Sequence, residues 1–131
     1  LSSVTLTPHV PLLELRDYIR NARFVVLPID NAKYSMGQMT LIQCMAMRKP
    51  ILVSRSFGVI DYCRDGENCL TYGCGNEVEL VEKANLLLSD PGMARKIAFQ
   101  ARADVVDELN GKEMARRMFE FIETTKRPCR S

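Results

Sequence analysis

Apolar and polar positions follow different rhythms along this chain. In LLELRDYIRNA, Leu12, Leu15, Ile19 and Ala22 recur at helical spacing, which predicts a first helix behind Pro8 and Pro11. RFVVLPI, from Arg23, is instead a continuous run with β-branched residues, the mark of a strand buried on both faces of a parallel sheet. The polar DNAKYS follows. A helix is then expected from about Met36 to Met47, with Met39, Ile42 and Ala46 on one face and Lys49-Pro50 as its stop. ILVS reads as the next buried strand. CLTY, beyond the turn signal Asp65-Gly66, reads as another, and VTL at residues 4 to 6 is a short candidate that brings the expected strands to about four.

Three helices complete the pattern. Asn76 with Glu79 three residues on has the form of an N-cap and its capping-box partner. Asp90-Pro91 opens the next helix, because Asp caps well and Pro is pre-organised at the first helical position. Asn110 and Gly111 break the chain before a last amphipathic helix with Met114, Met118, Phe119 and Ile122 on one face. This βαβ succession with a helical tail predicts an α/β fold around a parallel sheet, in one domain over residues 1–125. Residues 126–131, with Lys126, Arg127 and Arg130, read as a flexible solvated tail.

Composition narrows the function. At 131 residues the chain can bury one core, and its 18 basic and 16 acidic residues are interspersed, leaving a net charge of +2 without the basic stripe that nucleic-acid binding needs. The five cysteines show neither a CxxC pair nor a His at metal-ligand spacing, so reduced thiols, a cytoplasmic location and no metal are expected. No apolar run approaches the ~18 residues of a membrane span. The chain opens on Leu1, which points to a piece of something longer. His9 lacks an evident Asp or Ser partner, and Asp30 lacks the acidic cluster of a phospho-acceptor site.

The chemistry concentrates in SMGQMTLIQCMAMRKPILVS, residues 35 to 54. In parallel α/β sheets ligands sit outside the carboxyl ends of strands, where the following helices present unpaired N–H groups and the positive end of their dipole. Gly37 would let a phosphate or diphosphate approach those donors closely. A structural reading competes: Ser35 and Gln38 fit S-x-x-Q, a capping box that satisfies the same donors. A second glycine-bearing loop, SFGVIDY, follows the next strand and would turn a single turn into a crevice. The chain has neither a G-x-G-x-x-G nor a P-loop.

From Arg23 to Pro91 the residues resemble the nucleotide-sugar-binding, carboxy-terminal domain of family 4 glycosyltransferases of GT-B fold. The family pattern is a strand ending in Pro, then E-G-F-G-x-x-x-x-E-A-M-A-x-G-K-P-V-V-A-S, then G-G-x-x-E-x-x-x-D-G-x-N-G-x-L-V-x-x-G-D. The matching letters here are FVVLPI, SMGQMTLIQCMAMRKPILVS and FGVIDYCRDGENCLTYGCGN. The resemblance implies a partial Rossmann-like sheet and a donor site. Ser35 stands where the family has a Glu facing the sugar hydroxyls, and Gln43 where a second Glu holds the ribose. The amides of Gly37, Gln38, Met39 and Thr40 would take the diphosphate, and Phe57 and Gly58 stand at the paired glycines.

The resemblance thus implies the donor-binding half of a retaining glycosyltransferase, with a UDP-sugar or GDP-sugar as substrate and no cofactor. Two neutral residues replace the two glutamates, and the family's first two strands and acceptor domain have no counterpart, so the isolated chain is expected to be inactive. The alternative is a non-catalytic module that self-associates. If all crossover helices lie on one side, the other sheet face is bare, and a homodimer or swapped dimer is expected to bury it unless the last helix folds back across it; a missing amino-terminal half is the other expected partner.

Overall fold

A computed structural model describes residues 4–30 and 34–125; the tail assigned to 126–131 lies outside these. Three parallel strands, β1 (Val25–Leu27), β2 (Ile51–Ser54) and β3 (Leu70–Tyr72), lie in the order β1-β2-β3. Val25 pairs with Ile51, and Leu52 pairs with Leu70. Five helices surround them: α1 (Leu12–Asn21), α2 (Gln38–Ala46), α3 (Glu77–Ser89), α4 (Pro91–Asp107) and α5 (Gly111–Thr125). The sheet has three strands among the described residues, not four. Val4 to Leu6 form no strand and stand exposed, since a three-residue apolar run needs a paired neighbour to become one.

Neither face of the central strand is bare. Ile51 and Val53 pack with Leu41, Cys44 and Met45 of α2, whereas Leu52, pointing the other way, packs with Leu87 of α3 and Ala94 and Ile97 of α4. Helix α4 joins the two clusters, because Ala94 and Ile97 serve one and Ala101 the other. The expectation of an uncovered sheet face is therefore overturned: α3 and the first half of α4 cover the side opposite α2. The remaining exposed apolar side chains lie largely on the helices, including Leu12 and Leu13 of α1 and Met114, Met118, Phe119 and Ile122 of α5, which buries no residue.

The inner face of α2 also differs from expectation. Leu41, Cys44 and Met45 are buried, while Met39 is largely exposed and Ile42 and Ala46 are half-buried. The helix is apolar nearly all round, so its periodicity cannot select the buried stripe. It ends in a Schellman arrangement: the Lys49 N–H donates to the Cys44 carbonyl at 3.1 Å and the Arg48 N–H to that of Met45 at 3.1 Å. Arg48 therefore adopts φ 54°, a left-handed conformation, at the position where the quoted pattern has Gly. Arg102 of α4 donates to the Ala46 carbonyl at 2.6 Å, tying α4 to the same helix end.

The expected caps of α3 and α4 are present. Asn76 accepts the Glu79 N–H at 3.1 Å, and Asp90 accepts that of Met93 at 2.9 Å. Asn110 caps α5 in the same way, accepting the Glu113 N–H at 2.9 Å. The buried Asp104 of α4 holds the loop before β3, collecting Arg64 on both oxygens at 2.7 Å and Asn68 at 2.7 Å, together with Gln100 of its own helix at 2.9 Å. Asn68 in turn donates to the Tyr62 carbonyl and accepts the Arg64 N–H, so it pins the loop into β3. Burial pushes the Asp104 carboxyl up, but the bonds from Asn68, Gln100 and Arg64 outweigh it and hold the group below its ordinary range.

Candidate functional site

Three loops meet at the carboxyl ends of the strands. The first leaves β1, and Ser54 at the end of β2 holds it there: its hydroxyl accepts the Ile29 N–H at 2.8 Å and donates to the Ile29 carbonyl at 2.8 Å. Cys74, just beyond β3, completes the tie, its thiol lying 3.0 Å from the Arg55 carbonyl and 3.5 Å from that of Ile29. Arg55 forks onto Glu79 at 3.0 and 2.9 Å, and Glu79 also accepts the Gly73 N–H at 2.7 Å. The Arg55 bond, then the Gly73 bond, keep the Glu79 carboxyl below its ordinary range. In this arrangement Glu79 serves the loop after β2 and not the second half of a capping box.

Between these loops lies the start of α2. Gly37 is its N-cap at φ 86°, in the left-handed region, and no side chain caps the helix. Gln38 donates instead to the Ser35 hydroxyl, so the two residues of S-x-x-Q bond to each other and leave the helix N–H groups alone. The expected capping box does not form. A Cβ at Gly37 would come within 2.5 Å of the Ile29 side chain, which shows how closely β1's exit lies beneath the turn.

The second glycine loop closes on the first. A Cβ at Gly58 would sit 2.5 Å from the Met36 nitrogen and 2.8 Å from its carbonyl oxygen, so only glycine lets the two backbones approach this closely. The structure thus brings Ser35, Gly37, Gln38 and Gly58 together, with Met39 and Thr40 continuing the first turn of α2. Phe57, at 75% exposure, stands on the outer loop. Gln43 is set apart: it lines a hollow of about 340 Å³ with Leu12, Leu15 and Ile19 of α1. A residue that sequence reasoning missed is Ser56, whose hydroxyl, buried in the loop between Arg55 and Gly58, has no hydrogen-bond partner among the described residues. A lone serine in a loop carries no sequence signal that would single it out.

The sequence model of the glycosyl transferases group 1 family matches residues 1–90. The chain belongs to that family. No curated protein sequence matches it. Among solved structures, it is similar to HepE of Anabaena in complex with UDP, with a TM-score of 0.73 at 17% identity over 82% of this chain and 29% of that one. It is similar also to sucrose-phosphate synthase from Thermosynechococcus elongatus, with a TM-score of 0.69 at 22% identity over 82% of this chain and 26% of that one. A carboxy-terminal domain of a glycosyl transferase group 1 protein, LpcC from Francisella tularensis, gives 0.69 at 19% identity over 81% of this chain and 53% of that domain. At these identities the likeness establishes the shared GT-B type of fold, and the chain spans less than a third of the first two proteins.

Within this group 1 chain, no described helix is long and apolar enough to cross a membrane. The described cysteines are free thiols; burial raises that of Cys44 to about 11, so it is a packing residue and not a nucleophile.

Proposed function

We propose that residues 1–125 form the donor-binding part of a glycosyltransferase, holding a nucleoside diphosphate sugar at the start of α2. One observation carries the reading: an uncapped helix N-terminus at a left-handed Gly37, walled by the backbone of Gly58, at the carboxyl ends of β1 and β2. The N–H groups of Gln38, Met39 and Thr40 would take the diphosphate oxygens, each such bond to an anion contributing ~1.5–3 kcal/mol. Ser35 and Phe57 would border the sugar, and Gln43, in the hollow against α1, would meet the ribose where the nucleotide extends out of the crevice along α2. Related structures support this with UDP in one and UDP-glucose in another. The departing diphosphate, stabilised by helix amides, would assist proton removal from the acceptor in a retaining transfer. The free thiols fit a cytoplasmic setting.

With Ser35 and Gln43 in place of carboxylates, the sugar and ribose lose charge-assisted bonds about twice as strong as neutral ones. The isolated chain therefore binds UDP or GDP near the millimolar range and does not turn over a nucleotide sugar. Calorimetric titration with UDP and GDP tests this, together with release of nucleotide from UDP-glucose. Saturable binding without turnover is expected; no binding at several-fold millimolar concentration contradicts the reading.

A second reading is a non-catalytic module that associates with a second copy, favoured by the apolar face of α5, where Met114, Met118 and Ile122 are exposed. Sedimentation equilibrium separates the two readings. A concentration-dependent dimer that Met118→Glu abolishes, without nucleotide binding, supports the second.

A further inference from the structure

At the opposite, amino-terminal end of the sheet, a hollow of about 220 Å³ is lined by Arg23, Arg48, Lys49 and Arg95, around apolar Leu87 and Ala98. Arg23 and Lys49 lie just ahead of β1 and β2, and Arg95 lies in the second turn of α4. We propose that this hollow is an anion site for a phosphoryl group, separate from the crevice at α2.

Elsewhere in the described residues, Arg16, Arg20, Arg55, Arg64, Arg116 and Arg117 are paired with carboxylates, and Arg102 donates to the Ala46 carbonyl. Arg23, Arg48 and Arg95 form no ion pair among the described residues. Among the described residues, no carboxylate lines the hollow. The nearest acid along the chain, Asp90, has one oxygen engaged by the Met93 N–H. Like charges gathered without counter-charge repel one another, and an anion among them relieves that repulsion.

Arg48 is the one non-glycine residue with positive φ among those described, at a Schellman position where glycine carries no steric penalty. A strained conformation is retained where something else depends on the side chain. Phe99 provides the platform: the Arg48 guanidinium stacks over its ring at 5.5 Å, which fixes the group in orientation while leaving its N–H edge free of carboxylates. Lys49 donates to the Arg20 and Ala22 carbonyls, the latter at 2.8 Å, and so is anchored with one N–H and its full charge in hand. Two fixed cations and two exposed arginines suit the three-oxygen face of a phosphomonoester or a terminal diphosphate. That chemistry occurs both in small phosphorylated metabolites and in phospholipid headgroups.

The test is a titration of the chain with inorganic pyrophosphate, followed by amide chemical shifts so that residues 48, 49 and 93–97 are read separately from 38–40. In parallel, the chain is sedimented with phosphatidylglycerol and phosphatidylcholine vesicles. Arg23→Ala and Arg95→Ala are exposed positions that keep the fold. Each is expected to weaken pyrophosphate binding at this end by about tenfold, with affinity falling as salt rises. Capture by phosphatidylglycerol alone, lost in the double variant, assigns the same residues to a lipid headgroup. Absence of both kinds of binding overturns the site, as does equal binding by the wild type and the double variant.

Discussion

The Asp104 cluster and the Gly37 crevice make opposite use of polar groups. Asp104 is 5% exposed, and its two oxygens collect four hydrogen bonds from Arg64, Asn68 and Gln100. At the crevice, among the described residues, the first N–H groups of α2 lack a side-chain cap and the hydroxyl of Ser56, 2% exposed, lacks a hydrogen-bond partner. Polar groups that bond each other hold a fold together. Polar groups left open at a strand end are available to a ligand, and their cost is borne by the rest of the structure.

The contrast breaks most visibly at Asp104. Asp104→Ala leaves the Arg64 and Asn68 donors unpaired and is expected to lower stability by about 3 kcal/mol in urea unfolding, while UDP affinity of the folded protein stays unchanged. Because this carboxyl is held below its ordinary value, its contribution is present above the unfolded value of about 3.9 and fades as pH falls through the lower folded value. Urea midpoints from neutral pH down to strong acid should show that loss, and Asp104→Asn should flatten it.

The crevice answers to smaller changes. Gly58→Ala puts a methyl 2.5 Å from the Met36 nitrogen, so the loops must part; about 1–3 kcal/mol of stability and most of the UDP binding should go together. Gly37→Ala strains φ 86° by about 1–2 kcal/mol and presses on Ile29, again with weaker nucleotide binding. The smallest effect is at Arg48→Gly, where relief of the left-handed strain outweighs the lost Phe99 contact. A gain of about 0.5 kcal/mol is expected, with UDP affinity unaltered.

What could be read from the sequence follows the same division. The strands FVVLPI, ILVS and CLTY and the caps Asn76 and Asp90 are local signals, and each stands where expected. The convergence of the two glycine loops also follows from strand order, since β1 and β2 are neighbours. Face selection in α2 was not legible, because apolar residues surround that helix. The S-x-x-Q motif misled because the Gln38 amide found the Ser35 hydroxyl before either found the backbone. The Asp104 cluster joins residues up to 40 positions apart, yet it leaves a trace: an acid three residues after Ala101 on a buried stripe. The bare sheet face was wrongly expected because α4 crosses from one core cluster to the other, a path that crossover rules do not specify.

The most direct measurement is amide chemical-shift mapping of the chain as UDP is added. Saturable shifts are expected, largest at Gln38, Met39 and Thr40, accompanied by Gly58, and lost in Gly58→Ala. Shifts that do not saturate, or that saturate while leaving the start of α2 unmoved, would contradict the proposed donor site.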